Sequence, residues 1–168
     1  MRVASRRFSR LLAGVVVAAT LVLSACGRGA KVLSATAKTG NCPVCHMKVN
    51  TGDEWESEIL FKGGSKLMFE SPADMLRFYV TPSKYEVTDD QKNTSNIEQV
   101  LVYDYSTKRH VDGVKATLVY NSKVSGPMGP DFVPFESADA AASFQKANGG
   151  AAIGINQVTE ETLRELTK

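Results

Sequence analysis

The chain is predicted to pass from a strand straight into a helix at Lys66-Leu67-Met68-Phe69-Glu70-Ser71-Pro72-Ala73-Asp74. The first four residues of this stretch are typical of a short strand. Ser71 is a good helix N-cap, Pro72 suits the first helical position, and Asp74 would lie near the positive end of the helix dipole. The buried stripe of this helix is predicted to consist of Met75, Leu76, Phe78 and Tyr79.

The residues around this stretch predict further strands. Glu54 to Phe61 is rich in alternating residues and is separated from Lys66 by a turn signal at Gly63-Gly64. Val100 to Tyr103 and Ala116 to Tyr120 have the composition of strands, and the charged loop around Lys108-Arg109-His110 would join them. The polar segment from Tyr85 to Asn96 is expected to be a loop.

A short internal repeat appears at an offset of 66 residues. Phe135-Glu136-Ser137 repeats Phe69-Glu70-Ser71, and Phe144 repeats Phe78. In both halves an apolar strand would enter Phe-Glu-Ser and continue into a helix. The sequence therefore predicts an α+β fold of two related ββαβ units, with helices packed on antiparallel sheet.

The end of the second unit follows from helix-stop signals. Its helix is expected from Ser137 to Asn148 and should stop at Gly149-Gly150, because glycine commonly ends helices. Ala151 to Ile155 would be the next strand.

The N-terminus has the pattern of an export signal for a lipoprotein. Leu11 to Leu23 is a 13-residue apolar run, which has the length of a signal-peptide core and is short for a membrane span. It ends in Leu23-Ser24-Ala25-Cys26, which resembles the bacterial lipobox, so Cys26 would become the lipidated first residue. The predicted organisation is a signal peptide over 1–25, a tether over 26–40 and a globular domain over 41–168, located in the periplasm and anchored to the membrane.

Composition excludes several functional classes. A mature chain of about 143 residues is the size of one typical domain, not of a large multidomain enzyme. The chain has a formal charge of +2, but removing the four arginines of the signal segment leaves 16 basic and 18 acidic residues, a net charge of −2. Nucleic acid is therefore not an expected partner.

The soft metal ligands cluster in Cys42-Pro43-Val44-Cys45-His46-Met47, and this motif is compatible with several chemistries. A thiol oxidoreductase needs a helix after the cysteines to lower a thiol pKa, whereas Lys48 to Gly52 predicts a strand and a turn. Structural zinc needs four closed ligands, and His110 in its basic loop is more simply explained as solvated. Cys-x-x-Cys-His is also the attachment signature of c-type haem, which makes a haem-binding electron-transfer lipoprotein the main alternative, with Met128 available as a second axial ligand.

Cu(I) is the fourth possibility, because it is a soft cation that thiolate and thioether sulfur bind well. Met47 is suited to this in an exported protein, since a thioether needs no deprotonation and does not form a disulfide. A second methionine, Met128, lies in the turn Gly126-Pro127-Met128-Gly129-Pro130. Local sequence alone favours a Pro-Gly turn whose methionine packs on the core.

From about residue 42 onwards the chain resembles the NosL family of accessory lipoproteins. The matching pieces, in order, are Cys45-His46-Met47, Val102-Tyr103-Asp104-Tyr105, Val111-Asp112-Gly113-Val114-Lys115-Ala116, Tyr120-Asn121-Ser122, Gly126-Pro127-Met128-Gly129, Pro134-Phe135 and Gly149-Gly150. The resemblance implies a non-enzymatic periplasmic Cu(I) chaperone with two ββαβ units, which supplies copper to nitrous oxide reductase or another periplasmic cuproenzyme.

The resemblance also implies a ligand set. The family's Cys-x-Met falls on Cys45 and Met47, and its Met-Gly turn falls on Met128. Cys42 is present in some members and absent in others, so it is a ligand, a redox partner or dispensable. The common family residue at position 46 is glycine, and His46 in its place both creates the haem motif and offers copper an imidazole.

Overall fold

A computed structural model describes residues 40–166, so the predicted signal segment and Cys26 lie outside the described residues. The strands are β1 (Gly40–Asn41), β2 (Lys48–Val49), β3 (Ser57–Phe61), β4 (Lys66–Phe69), β5 (Ile97–Tyr103), β6 (His110–Asp112), β7 (Thr117–Tyr120), β8 (Ser125–Gly126), β9 (Gly129–Pro130), β10 (Val133–Phe135) and β11 (Ala151–Gly154). The α-helices are α1 (Pro72–Val80), α2 (Asp89–Lys92), α3 (Ala138–Asn148) and α4 (Glu160–Glu165). Within residues 40–166, no helix has both the length and the apolar character that a membrane span requires.

The first half of the domain has the predicted order of strand, strand, helix, strand. An antiparallel sheet runs in the order β4-β3-β5-β6, and α1 packs against β3 and β4. The Ser71 hydroxyl accepts a hydrogen bond from the Asp74 amide, so α1 begins with the predicted cap and Pro72 at its start. Three residues of the predicted stripe are fully buried, namely Met75, Leu76 and Phe78, while Tyr79 is half-buried.

The second half repeats this arrangement and confirms the α+β prediction of two related units. Its sheet runs in the order β10-β7-β11, so its first strand is central and its second and third strands flank it, as in β4-β3-β5. The residues repeated at an offset of 66 lie at equivalent positions of the two units. Phe69 and Phe135 end β4 and β10, while Ser71 and Ser137 cap α1 and α3. Helix α3 ends at Gly149, whose φ of 71° is a conformation that glycine adopts without strain.

Two layers of apolar residues hold the halves of this domain in place. Val119, Val133 and Phe135 pack with Phe144 of α3. Leu118, the residue before Val119 in β7, belongs instead to the larger core that contains Ile59 and Leu76. Because neighbouring residues of a strand point to opposite faces, β7 contributes to both cores.

The structure corrects several details of the sequence prediction. The segment around His110 is not simply a loop, because His110–Asp112 forms β6 and pairs with β5. The polar region after Tyr85 contains the short helix α2, which begins at a Thr88 capping box. Strand β3 begins at Ser57 rather than Glu54, since the Glu56 amide donates to the Asp53 carbonyl and closes a turn.

Candidate metal site

The Cys-x-x-Cys motif lies in the loop of a small hairpin formed by β1 and β2. The Cys42 amide donates to the Met47 carbonyl at 2.8 Å, and the His46 amide donates to the Cys42 carbonyl at 2.9 Å. These bonds close the loop over six residues. His46 has a φ of 63°, the left-handed conformation that glycine adopts most easily.

The two thiols converge with a carboxylate. Cys42 is fully buried, and its Sγ donates to Asp74 Oδ2 at 3.4 Å. Cys45 is partly exposed, and its Sγ donates to Glu70 Oε2 at 3.4 Å. The two sulfurs and a carboxylate oxygen of Asp74 all lie within 4.8 Å of one another, and both cysteines are free thiols.

The two carboxylates that face the thiols lie at the start of helix α1, one just before its cap and one in its first turn. Glu70 precedes the Ser71 cap, and Asp74 lies in the first turn, where Arg77 Nη1 pairs with Asp74 Oδ1 at 2.9 Å. Burial, reinforced by the neighbouring Asp74 carboxylate, raises the pKa of Cys45 well above its usual range. Without a metal, Cys45 is therefore a protonated thiol at neutral pH.

Both candidate methionine ligands are exposed. Met47 is 46% exposed and Met128 is 62% exposed, and they are two of the three large exposed hydrophobic residues in the described part of the chain. The interpretation of Met128 as a residue that packs on the core is therefore wrong. A thioether exposed in this way costs apolar hydration but remains available to a metal ion.

Met128 lies in the turn between β8 and β9, and this hairpin is bonded to α1. Asp131, just after β9, accepts through Oδ1 from the Ala73 and Phe132 amides, each at 2.8 Å. Burial raises the pKa of Asp131 to about 6, against the lowering effect of hydrogen bonds from Ser71 and these amides. The Met128 hairpin and the thiol loop are thus both bonded to the N-terminal part of α1, while contact of Met128 with the thiols stays a prediction.

This geometry disfavours a thiol oxidoreductase and covalent haem attachment at the motif, and it corrects the prediction for His110. The cysteines are followed by β2 and not by a helix, and the Cys45 pKa is raised, whereas a reactive redox thiol needs a lowered pKa. A thioether bond from Cys42 to haem would require a fully buried sulfur to leave its place beside Asp74. His110 is half-buried on β6 with its ring edge-on to Tyr103, so it is not the solvated loop residue that was expected.

Comparison with known proteins identifies the family. The NosL family model matches residues 33–163. The chain belongs to the NosL family. None of the curated proteins compared with the chain matches it significantly.

Two solved structures resemble this NosL-family chain. The crystal structure of the copper chaperone NosL from Shewanella denitrificans has a TM-score of 0.61 and 21% identity, covering 75% of this chain and 97% of that one. The solution NMR structure of the apo-NosL protein from Achromobacter cycloclastes has a TM-score of 0.46 and 24% identity, covering 64% of this chain and 87% of that one. The first similarity confirms the fold.

Sequence reasoning missed the two carboxylates beside the thiols. The sequence predicts Asp74 only as an acid near the positive end of the helix dipole, and Glu70 only as part of the repeated Phe-Glu-Ser. Their hydrogen bonds to Cys42 and Cys45 span 32 and 25 residues of sequence. The available signal was that both acids flank the N-cap of the helix, but nothing local indicates that the cysteine loop lies there.

Proposed function

We propose that this chain is an exported, lipid-anchored Cu(I) chaperone that delivers its ion to a periplasmic cuproenzyme, with nitrous oxide reductase the favoured recipient. Membership of the NosL family supports the proposal, as does the likeness to a NosL structure described as a copper chaperone. The proposed ligands are Cys45, Met47 and Met128, assisted by Cys42 or His46.

The observation that carries the proposal is the convergence of two free thiols in a loop that also presents an exposed methionine. Cu(I) prefers sulfur to carboxylate, so the thiols and thioethers are its natural ligands here. Exposure also suits delivery. A chaperone must release its metal, and a partner can reach exposed ligands and replace them one at a time.

The carboxylates have a different role in this account. In the metal-free chain, Asp74 and Glu70 accept hydrogen bonds from the two thiols and hold both sulfurs at the loop. Copper binding replaces a thiol proton with the metal ion, because the thiolate is the ligand. The site is therefore organised before the ion arrives, which reduces the ordering cost of binding.

Membrane anchoring is proposed from the lipobox-like Leu23-Ser24-Ala25-Cys26. Stable anchoring requires more than one acyl chain, which an acylated and N-terminally modified cysteine would provide. Cys26→Ser should leave the protein unprocessed or release it from the membrane fraction. A Cys26→Ser protein that is matured and membrane-bound like the parent would contradict the anchor.

One experiment separates copper from the haem alternative. The parent protein is exported from a host that matures c-type cytochromes and is then examined by absorption spectroscopy and on a denaturing haem-stained gel. The copper proposal predicts no Soret band, no covalent haem and about one colourless Cu(I) per chain, which Cys45→Ser should lose. Covalent haem on the parent, or Cu(I) binding unchanged by Cys45→Ser, would overturn it.

A further inference from the structure

Two buried glutamates at the sheet β4-β3-β5-β6 each have one oxygen without a partner. Glu56 and Glu58 are both only 1% exposed, although glutamate is rarely buried unless its charge is paired. Glu56 Oε2 accepts from the Gly52 amide at 2.6 Å, and Glu58 Oε1 accepts from Lys66 Nζ at 2.7 Å. The remaining oxygens, Glu56 Oε1 and Glu58 Oε2, are buried without a hydrogen-bond donor. Buried polar atoms are nearly always paired, so these two acceptors require an explanation.

The strand register shows which titratable groups share a face with Glu58. Residues directly opposite each other share a face, as do residues two apart in one strand. Glu58 pairs with Leu101, which also pairs with Asp112, and Tyr103 pairs with His110. Lys66 of β4 joins them through its ion pair with Glu58.

Several of the surrounding charges are already engaged elsewhere. Asp112 pairs with Lys115 at 2.8 Å, and Glu54 of the turn before β3 pairs with Lys108. Asp53 of the same turn is exposed and accepts from the Trp55 amide. The nearby cations that remain for the two free oxygens are therefore Lys66 and His110.

Neither of these two groups satisfies the free oxygens. Lys66 is bonded to Oε1 of Glu58 and not to Oε2. His110 Nε2 lies 3.9 Å from Glu56 Oε2, which is too long for a hydrogen bond, and that oxygen already accepts from the Gly52 amide. Burial also lowers the pKa of His110, so its imidazole is neutral at neutral pH.

One proton on the glutamate pair would satisfy both oxygens and balance the charge. With both carboxylates ionised, two negative charges would face the single positive charge of Lys66, whereas one proton makes the group neutral. Burial raises the pKa of Glu56, and the charge of Glu58 and a hydrogen bond with it raise this pKa further, against the lowering effect of the Gly52 amide. Two carboxylates that share a site commonly hold one proton between them in this way.

We propose that Glu56 and Glu58 share one proton, and that this proton holds the turn between β2 and β3 against the first sheet. Glu56 connects the two, because its Oε2 accepts from the amide of Gly52 in that turn. Loss of the proton leaves two buried carboxylates side by side, and their repulsion favours departure of Glu56 from the sheet and release of the Gly52 amide. The turn directly follows the hairpin that carries the cysteine loop. The fold thus contains a pH-sensitive attachment whose titrating groups are separate from the thiols.

The shared proton fixes the direction of the pH effect. The folded chain keeps this proton at pH values where the unfolded chain, with Glu56 near its ordinary pKa of 4.5, has lost it. The stability that the proton contributes is therefore full below that value, and it is lost as the pH rises through the raised pKa of the folded pair.

Glu56→Gln imitates the protonated pair at every pH. Its amide N–H can donate to Glu58 Oε2, while its oxygen keeps the bond from Gly52. Relative to the parent, this variant should gain stability as the pH rises from 5 to 8, by up to about tenfold in the unfolding equilibrium constant per pH unit. Chemical denaturation of the full mature chain at several pH values measures this difference. Glu98→Gln, whose side chain on β5 is exposed, is the matched control and should follow the parent.

Infrared spectroscopy at pH 6 gives a direct second measurement. The parent should show a protonated carboxyl band that Glu56→Gln lacks and Glu98→Gln keeps. His110→Phe keeps an aromatic ring against Tyr103 and should leave the pH-dependent difference unchanged. The proposal would be overturned by a difference between parent and Glu56→Gln that is constant with pH, by a carboxyl band that survives Glu56→Gln, or by loss of the pH effect in His110→Phe.

Discussion

His46 helps to close the metal loop but adopts a backbone conformation that is unfavourable for a residue with a side chain. Its amide bond to the Cys42 carbonyl helps to close the loop, but its φ of 63° costs a residue with a Cβ about 1 kcal/mol. Glycine, the residue that the resemblance places there in most of the family, would adopt this conformation freely. The structure therefore explains a preference for glycine that does not depend on metal binding.

His46→Gly is expected to leave the free energy of unfolding unchanged or to raise it by up to about 1 kcal/mol, since relief of the left-handed backbone is partly offset by greater unfolded-chain entropy. Cu(I) affinity should change little, because the sulfur ligands remain. Chemical denaturation and chelator competition measure the two effects. Asn121→Gly, at a φ of 53° outside the loop, is the control for backbone relief alone. A large loss of Cu(I) affinity would make His46 a ligand.

The raised pKa of Cys45 predicts that Cu(I) affinity depends on pH. Its raised pKa means that the thiol is protonated through the neutral range, so Cu(I) must displace a proton. The apparent affinity should therefore rise about tenfold per pH unit between pH 6 and 8, because binding at Cys45 releases one proton. Chelator competition at several pH values measures this slope. A flat profile would exclude thiolate ligation.

Among the structural elements, the hairpin of β8 and β9 depends on the close approach of Gly126 to Asp131. A Cβ added to Gly126 would lie 2.6 Å from Asp131 Oδ2, and Asp131 is the residue that bonds this hairpin to α1. A methyl group at Gly126 must therefore displace Asp131. Such a displacement would affect the turn between β8 and β9, which carries Met128.

Gly126→Ala is expected to lower the free energy of unfolding by about 1 to 3 kcal/mol, the usual cost of overpacking. It should also weaken Cu(I) binding, because the turn that carries Met128 would shift. Gly63→Ala is the matched control: it lies in the turn between β3 and β4, and its added Cβ would meet nothing within 4 Å. Equal stability for the two variants would show that Asp131 does not anchor the hairpin.

The elements that local chemistry specifies could be predicted from the sequence. Helix α1 follows from Ser71 and Pro72, and α3 from Ser137 and the glycines after Asn148. Strand β6 could not be predicted, because His110 lies in a charged segment and pairs with β5 only through tertiary contact. The carboxylates beside the thiols could not be predicted for the same reason, since Glu70 and Asp74 reach Cys45 and Cys42 only through the tertiary fold.

At the scale of the whole described domain, one ββαβ plan is used twice with different connections. The first unit joins β3 to β4 by a short turn at Gly63-Gly64, whereas the second unit places the β8 and β9 hairpin between β7 and β10. Met128 lies on this added hairpin. The duplication therefore provides a scaffold, and the proposed copper ligands lie on segments outside the repeated elements.

We propose that Cys45 and Met128 bind the same Cu(I) ion. Cu(I) affinity and apo-protein melting temperature are measured for the parent, Cys45→Ser, Met128→Ala and the double variant, with Val114→Ala as an exposed apolar control. We expect Met128→Ala to weaken binding about tenfold or more, about 1.4 kcal/mol, with an unchanged melting temperature. The double variant should be scarcely worse than the poorer single variant, because ligands of one ion are not additive. Unchanged affinity for Met128→Ala, or losses that simply add, would contradict the account.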